Sequence, residues 1–378
     1  MHDQDPTLVD LVLDVARHEL TTVKRPEVIL RVKNKGYPGR ALTLEHSESA
    51  MKALKSLDPD DWAGVWMAEA AKLEEKAQGT SDAKERGELY RNAYELYTMG
   101  RFPARTSPGK QLAYDKSLDA YLKYTATLPQ PMEVVRIPFE GKEIIAYFRK
   151  PEGPGPFPLM IQCGGLDYLK EQIADEAMLF TAKGFAVLAM DMPGTGQAPI
   201  LADVGGERMF TRAFDWAETR PEIDAKKMFM RGVSWGGHWA TRVAYAEKDR
   251  LLGSINHGGA VHNFFTTEWQ LKALGTREYL MGLFEARSII FGVNTLDDFF
   301  DYLPRMSMCV NDRIDGPSSP MLVMNGVKDS QVPIADHILL ISRGDPKDAW
   351  INPKGMHMGF SADWSAARVD SEIIIPWF

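Results

Sequence analysis

The sequence predicts an α/β protein, a mainly parallel twisted sheet with helices on both faces, preceded by a helical domain. The region before residue 130 is rich in Ala, Leu, Glu, Lys and Tyr, with apolar residues at helical spacing. After Pro131, short apolar runs alternate with helix-compatible segments, the pattern of a parallel sheet covered on both faces. Between one such run and one such helix lies Gly232-Val233-Ser234-Trp235-Gly236-Gly237, a tight strand-to-helix turn.

The amino-terminal helices are expected over Asp61–Lys76, Ala83–Gly100 and Gly109–Thr127. Trp62, Trp66, Ala70 and Leu73 are spaced four, four and three apart, and Leu89, Ala93, Leu96 and Tyr97 repeat the stripe. Gly100 followed by Pro103 supplies a stop. The run Tyr94–Phe102 has no second copy at a fixed period, so a repeat array is rejected. Residues 1–130 therefore read as an antiparallel helical cap domain, and 131–378 as the α/β core.

In the core, Glu133–Pro138 and Glu143–Lys150 are strands joined at Glu140-Gly141. Leu159-Met160-Ile161 is a buried strand ending at Cys163-Gly164-Gly165. Helix Lys170–Lys183, strand Phe185–Asp191, helix Glu207–Thr219 and strand Lys227–Val233 follow, then strands Leu252–Asn256, Met321–Asn325 and Ala349–Asn352. The insertion at about 262–316 is too long for a structureless loop and is expected to form a helical lid.

Composition narrows the function. The 378 residues hold 44 Lys+Arg against 52 Asp+Glu, a net charge of −8, with no basic cluster to attract nucleic acid. Two cysteines, Cys163 and Cys309, exclude a disulfide framework and suit a reducing cytoplasm. The acidic start Met1–Asp5, and Asp10 and Asp14 within Leu8–Val15, argue against a signal peptide, and no apolar run is long enough for a membrane span.

Chemistry is expected at Ser234. Its turn would lift the hydroxyl to the carboxyl edge of the sheet, and its glycines make room where a Cβ would collide with the neighbouring strand and helix. A serine hydroxyl needs a base, and the base an orienting acid. This architecture runs in the order serine, acid, histidine. His357, in the Gly-flanked loop after the last strand, stands where the base should be; Asp329, one short loop after a buried strand, is the acid, with Asp336 and Asp315 less well placed. The oxyanion donors are the Trp235 amide and the amide of Leu166 or Gly165. His238 is assigned to packing, and His337 falls on a helix. His257, His262 and Trp269 are candidate pocket-wall residues. Asp191–Gly196 lacks the third glycine of a dinucleotide loop, and no C-x-x-C or helical histidine pair implies a metal. No cofactor is expected.

Taken in order, Gly164-Gly165-Leu166-Asp167, Lys170-Glu171, Asp191–Gly196, Gly232–Gly237 and Gly258-Gly259 resemble the FrsA-like α/β-hydrolases, in particular the branch of 2,6-dihydroxypseudooxynicotine hydrolase and the fungal polyketide-shortening pigment hydrolases. Pro131–Val134, Pro138–Gly141 and Gly100–Pro103 extend the resemblance to about residues 60–378. It implies the α/β-hydrolase fold, a Ser-Asp-His enzyme capped by its amino-terminal helices, a small-molecule substrate and a homodimer. Family members cleave esters or C–C bonds next to ketones. In the latter an acidic residue after the sixth strand faces the pocket, and Glu268 lies near that place. The elbow reads Gly-Val-Ser-Trp-Gly where the family has Gly-Arg-Ser-Leu-Gly. A ligand-binding or regulatory protein on the same scaffold, and an acyltransferase, are the alternatives.

Overall fold

The structure, a computed structural model, describes residues 25–130, 132–275 and 279–378. Leu8–Val15, His2, His18 and Pro131 lie outside them. The chain divides into two compact units, one running to Met132 and including Tyr279–Ala286, the other formed by Glu133–Glu278 and Arg287–Phe378.

The first unit is helical: α1 Arg25–Lys33, α2 Leu44–Ala53, α3 Pro59–Gly79, α4 Ala83–Arg101 and α5 Pro108–Thr125. Side chains set the helix starts. Asp58 accepts from the Asp60 and Asp61 amides ahead of Pro59, Asp82 accepts from Glu85 N, and Ser107 from Lys110 N. The stripe Trp62, Trp66, Ala70 and Leu73 is buried, and Trp62 Nε1 donates to Met99 O at 2.7 Å, tying α3 to α4. A Cβ at Gly100 would lie 3.1 Å from that of Ala113, so α4 and α5 cross closely there.

Lys110 is buried on α5 with its Nζ donating to Phe102 O at 2.7 Å. Burial pushes its amine from the usual 10.5 down to about 8, against the pull of Glu285 and with Arg101 adding to the fall. The folded group therefore releases its proton at lower pH than the unfolded one. Its destabilising contribution is full below pH 8 and disappears as pH rises toward 10.5. The stability difference, native minus Lys110→Met, should accordingly rise between pH 8 and about 10 in denaturant titrations. A flat difference would contradict the burial argument.

The second unit is built on an eight-stranded sheet among the described residues, in the order β1-β2-β4-β3-β5-β6-β7-β8. These are β1 Glu133–Phe139, β2 Lys142–Arg149, β3 Phe157–Cys163, β4 Ala186–Met190, β5 Ile223–Val233, β6 Leu251–His257, β7 Met321–Gly326 and β8 Asp348–Asn352. The pairs β1–β2 and β2–β4 are antiparallel, and all others are parallel. Glu140 (φ 49°) and Gly141 (φ 74°) make the hairpin turn, whose left-handed backbone follows the twist of the strands. Helices α6 Lys170–Thr181, α7 Arg208–Glu218 and α8 Trp235–Ala246 alternate with the strands, the insertion contributes α9 Thr267–Leu274, α10 Leu283–Ile289 and α11 Leu296–Tyr302, and α12 Ile334–Ile341 follows β7.

Two apolar layers sandwich the sheet. On one side Met160, Val187, Phe229, Ile255, Leu322 and Met324 pack with Phe180, Val369 and Ile374, and the carboxyl-terminal Trp377 and Phe378 close over them. On the other, Val323 and Met321 pack with Ala244, Val261, Met308, Ile314 and Leu340. Because both faces are covered, β3, β4 and β7 are almost uninterruptedly buried. The insertion expected as one lid is divided: it forms short helices α9 Thr267–Leu274, α10 Leu283–Ile289 and α11 Leu296–Tyr302, and its Tyr279–Ala286 stretch groups with the helical unit. No helix among the described residues is long and apolar enough to cross a membrane.

Candidate active site

The site lies at the carboxyl ends of β5, β7 and β8. β5 ends at Val233, and α8 begins at Trp235, so Ser234 alone makes the turn, at φ 56° and ψ −125°. That conformation is sparsely populated for a residue with a side chain and costs on the order of 1–3 kcal/mol. The surroundings enforce it. A Cβ at Gly232 would come within 1.9 Å of Gly236 O, and one at Gly236 within 2.3 Å of Gly164 O, so helix and strands press together where only glycine fits. Ser234 N donates to His257 O at 2.8 Å, fastening the turn to β6.

His357 stands in a short 3-10 turn, His357–Gly359, in the loop after β8. Met356 N donates to Phe360 O at 2.8 Å and closes that loop, while Gly359 (φ 77°) passes so near Trp350 that a Cβ would lie 2.4 Å from its ring. The result brings His357 Nε2 to 2.8 Å from Ser234 Oγ and His357 Nδ1 to 2.7 Å from Asp329 Oδ2. A carboxylate only accepts, so Nδ1 carries the proton and Nε2 is left to accept from the serine. The imidazole is 18% exposed and the Asp329 side chain 0%, so the acid sits behind the base.

Asp329 is saturated with donors. Oδ2 also accepts from Asn325 Nδ2 at 2.8 Å, and Oδ1 from the amides of Gln331 (2.7 Å) and Val332 (3.0 Å). Burial pushes its carboxyl up, but the His357 charge, the His357 hydrogen bond and the other donors outweigh it, and the group is held below the usual carboxylate range.

The amide of Trp235 opens α8, where the first turn's N–H groups have no partner within the helix. The Gly165 backbone passes close to the same serine: a Cβ there would lie 2.9 Å from Ser234 Cβ and 3.2 Å from Oγ. Leu166, buried, follows it. The Trp235 ring is buried edge-on to Phe264 and Phe265, with centroids 5.1 and 6.3 Å away, and tilted against Phe291 at 5.7 Å.

The remaining candidates have the following surroundings. His257, expected at the pocket wall, has no exposed surface; its Nε2 lies 2.9 Å from Met358 O, and burial with the nearby Arg231 charge pushes it down to about 3. A ring so enclosed touches no ligand while the loop stays in place. His262 Nδ1 pairs with Ser307 Oγ at 2.7 Å. Trp269 Nε1 donates to Gln331 O at 3.0 Å, while Glu268 is exposed on the first turn of α9. His238 is buried with Nδ1 on Ala260 O, and its desolvation and the Arg242 charge hold it neutral. Burial, with the Asp191 charge adding to it, pushes Cys163, beneath the elbow, well above the usual thiol range, so it is no competing nucleophile.

Asp336, the less well placed acid, is occupied: its buried carboxylate accepts from the amides of Val261, His262, Asn263 and Phe264 and pins the chain after β6. Asp315 pairs with Arg343. Lys170, fully buried, bridges Glu171 (2.7 Å) and Asp191 (2.9 Å), and Asp191 also accepts from Gln197 N, so the Asp191–Gly196 loop is fastened to the start of α6. Among the described residues no group of three His, Cys, Asp or Glu side chains gathers as metal ligands would.

Comparison with known proteins completes the description. A family model described as esterase FrsA-like matches residues 49–347. Esterase FrsA of Photobacterium profundum is 26% identical over 62% of this chain and 57% of its own length. Esterase FrsA of an Enterobacter species is 27% identical over 53% of this chain and 50% of its own length. The chain thus spans about half the length of the curated relatives it matches. Among solved structures, 2,6-dihydroxy-pseudo-oxynicotine hydrolase superposes with a TM-score of 0.71 at 22% identity, covering 84% of this chain and 88% of its own. Wild-type AbyA5 gives a TM-score of 0.71 at 20% identity, with 88% and 87% covered. At these identities the likeness establishes the fold, that of the α/β-hydrolases.

Proposed function

The chain belongs to the FrsA-like family, and from that premise we propose that it is a cofactor-independent serine hydrolase acting on a small apolar or aromatic molecule. The observation that carries this reading is the unbroken run of hydrogen bonds from Ser234 through His357 to Asp329, 2.8 and 2.7 Å long. Ser234 Oγ attacks a carbonyl carbon as His357 Nε2 takes its proton, and Asp329 stabilises the imidazolium. The Trp235 amide and that of Gly165 or Leu166 meet the developing oxyanion. His357 then returns the proton to the leaving group, and water repeats the sequence on the acyl-enzyme.

Esters and C–C bonds flanked by carbonyls both enter this scheme. In the first the leaving alkoxide takes the proton on oxygen; in the second the leaving carbanion, held as an enolate, takes it on carbon. The apolar or aromatic character of the substrate is proposed from the aromatic density of the insertion (Phe264, Phe265, Trp269, Phe291, Phe299 and Phe300), three rings of which pack against Trp235 beside the Ser234 turn. A ligand-binding protein has no use for an imidazole locked in the proton-accepting tautomer against a serine, which weighs against the non-catalytic alternative. The homodimer and the cytoplasmic setting are parts of the same proposal.

Aryl esters and β-diketones, offered to the native protein and to Ser234→Ala and Glu268→Gln, test it. Ser234→Ala should lose turnover of every accepted substrate, and undiminished turnover would contradict the reading. Selective loss of diketone cleavage in Glu268→Gln would bring Glu268 into the site; unchanged rates on both classes would remove it. Product analysis with added alcohols or amines separates hydrolysis from acyl transfer.

A further inference from the structure

His257 closes β6 and holds both halves of the site. Its carbonyl accepts from Ser234 N at 2.8 Å, and its ring Nε2 lies 2.9 Å from the carbonyl of Met358, the residue after His357. On the other edge of the ring, Arg231 Nη2 lies 3.4 Å from Nδ1 and donates to Asp370 Oδ1 at 2.8 Å. Phe360 packs edge-on at 5.8 Å. A guanidinium has only donors and a carbonyl only accepts, so the two neighbours demand the same tautomer: Nδ1 bare, Nε2 protonated. Met358 sits at φ 61°, a left-handed conformation that a residue with a side chain keeps only where its surroundings hold it. Gly258 (φ 74°) lets the loop come close, since a Cβ there would lie 3.0 Å from Met358 Cγ.

We propose that His257 is a positioning residue: by donating from Nε2 to Met358 O while its own carbonyl holds Ser234 N, it sets the distance between nucleophile and base, and Arg231, anchored on Asp370, fixes the tautomer that can donate. The inference rests on the hydrolase reading above. It differs from a packing role because it depends on one proton at one nitrogen. Filling the volume without that donor leaves the Met358 carbonyl unpaired and the His357 turn free to relax. Small displacements of a base from its nucleophile are costly, about a hundredfold for 1 Å.

The test compares rates of labelling by a fluorophosphonate, with thermal melting as the check on folding. His257→Leu fills the space without a donor and should label at least tenfold more slowly than native. His257→Gln, whose amide Nε2 can reach the same carbonyl, should recover the rate to within about threefold, which a purely structural role would not produce. Native labelling by a folded His257→Leu, or a His257→Gln as slow as His257→Leu at equal melting temperature, would overturn the proposal. Two-bond ¹H–¹⁵N correlation spectra of the native protein decide it independently of any variant. The Nε2–H tautomer is expected for His257, and an Nδ1–H tautomer or an imidazolium would overturn it. A native protein that takes no label would instead overturn the hydrolase reading, which keeps the two failures distinct.

Discussion

Asp329→Asn should lower kcat by about 10⁴-fold while the protein still folds. Four donors converge on the carboxylate: His357 Nδ1 and Asn325 Nδ2 on one oxygen, the Gln331 and Val332 amides on the other. An asparagine offers one acceptor oxygen and one NH₂ group. With the oxygen toward the two backbone amides, the NH₂ faces Asn325, whose side-chain amide can turn its oxygen to accept, and His357, whose proton it forces onto Nε2. The imidazole then presents a donor to Ser234 and cannot take the hydroxyl proton. With the oxygen turned the other way, the NH₂ meets two backbone N–H groups, at a cost of about 1–3 kcal/mol in stability. The first arrangement is therefore the one expected. Steady-state rates on an accepted ester, beside a melting curve, check it. A loss under tenfold would mean that His357 does not depend on Asp329 for its tautomer.

Gly232→Ala should remove activity by a different route. The added methyl would sit 1.9 Å from Gly236 O and 2.2 Å from Gly236 C, against main chain that has no rotamer to change. Relief requires α8 to move away from β5, and with it Trp235 N and the Ser234 turn. The expected cost is about 3 kcal/mol or more, several degrees in melting temperature, with at least a hundredfold loss of kcat in the folded fraction. Gly64→Ala is the control. It lies exposed in α3 with nothing within 4 Å of a built Cβ, so the helix should be unchanged or firmer by up to about 1 kcal/mol. Equal melting temperatures and rates for Gly232→Ala and native would show that the elbow is looser than described.

Much of the core could be read from the chain because both of its signals are local. Apolar runs such as Leu159–Ile161 and Met321–Asn325, each followed by glycine or a turn, mark strand ends, and functional side chains of such sheets gather at strand ends. Ser234, Asp329 and His357 each follow one. The direction of a side chain at a strand end is not local. His257 looked like a wall residue because it ends β6, yet its ring turns in among Arg231, Met358 and Phe360, residues brought to it from β5 and from beyond β8. Asp336, less well placed than Asp329 by its position in the chain, is taken up by four amides of the loop after β6, a contact that sequence spacing does not encode. The grouping of Tyr279–Ala286 with the helical unit is a tertiary contact that no periodicity encodes. Helices α1 and α2 carry little sequence signal, because Arg25–Lys33 and Leu44–Ala53 are short and bury few positions, so neither has a long apolar stripe.

Every step of the proposed reaction depends on Ser234 as the nucleophile. Fluorophosphonate treatment followed by peptide mass spectrometry should find a single adduct, on Ser234, formed by the native protein and absent from a folded Ser234→Ala. An unmodified Ser234 in native protein, or an adduct that persists on another residue after the substitution, would contradict it.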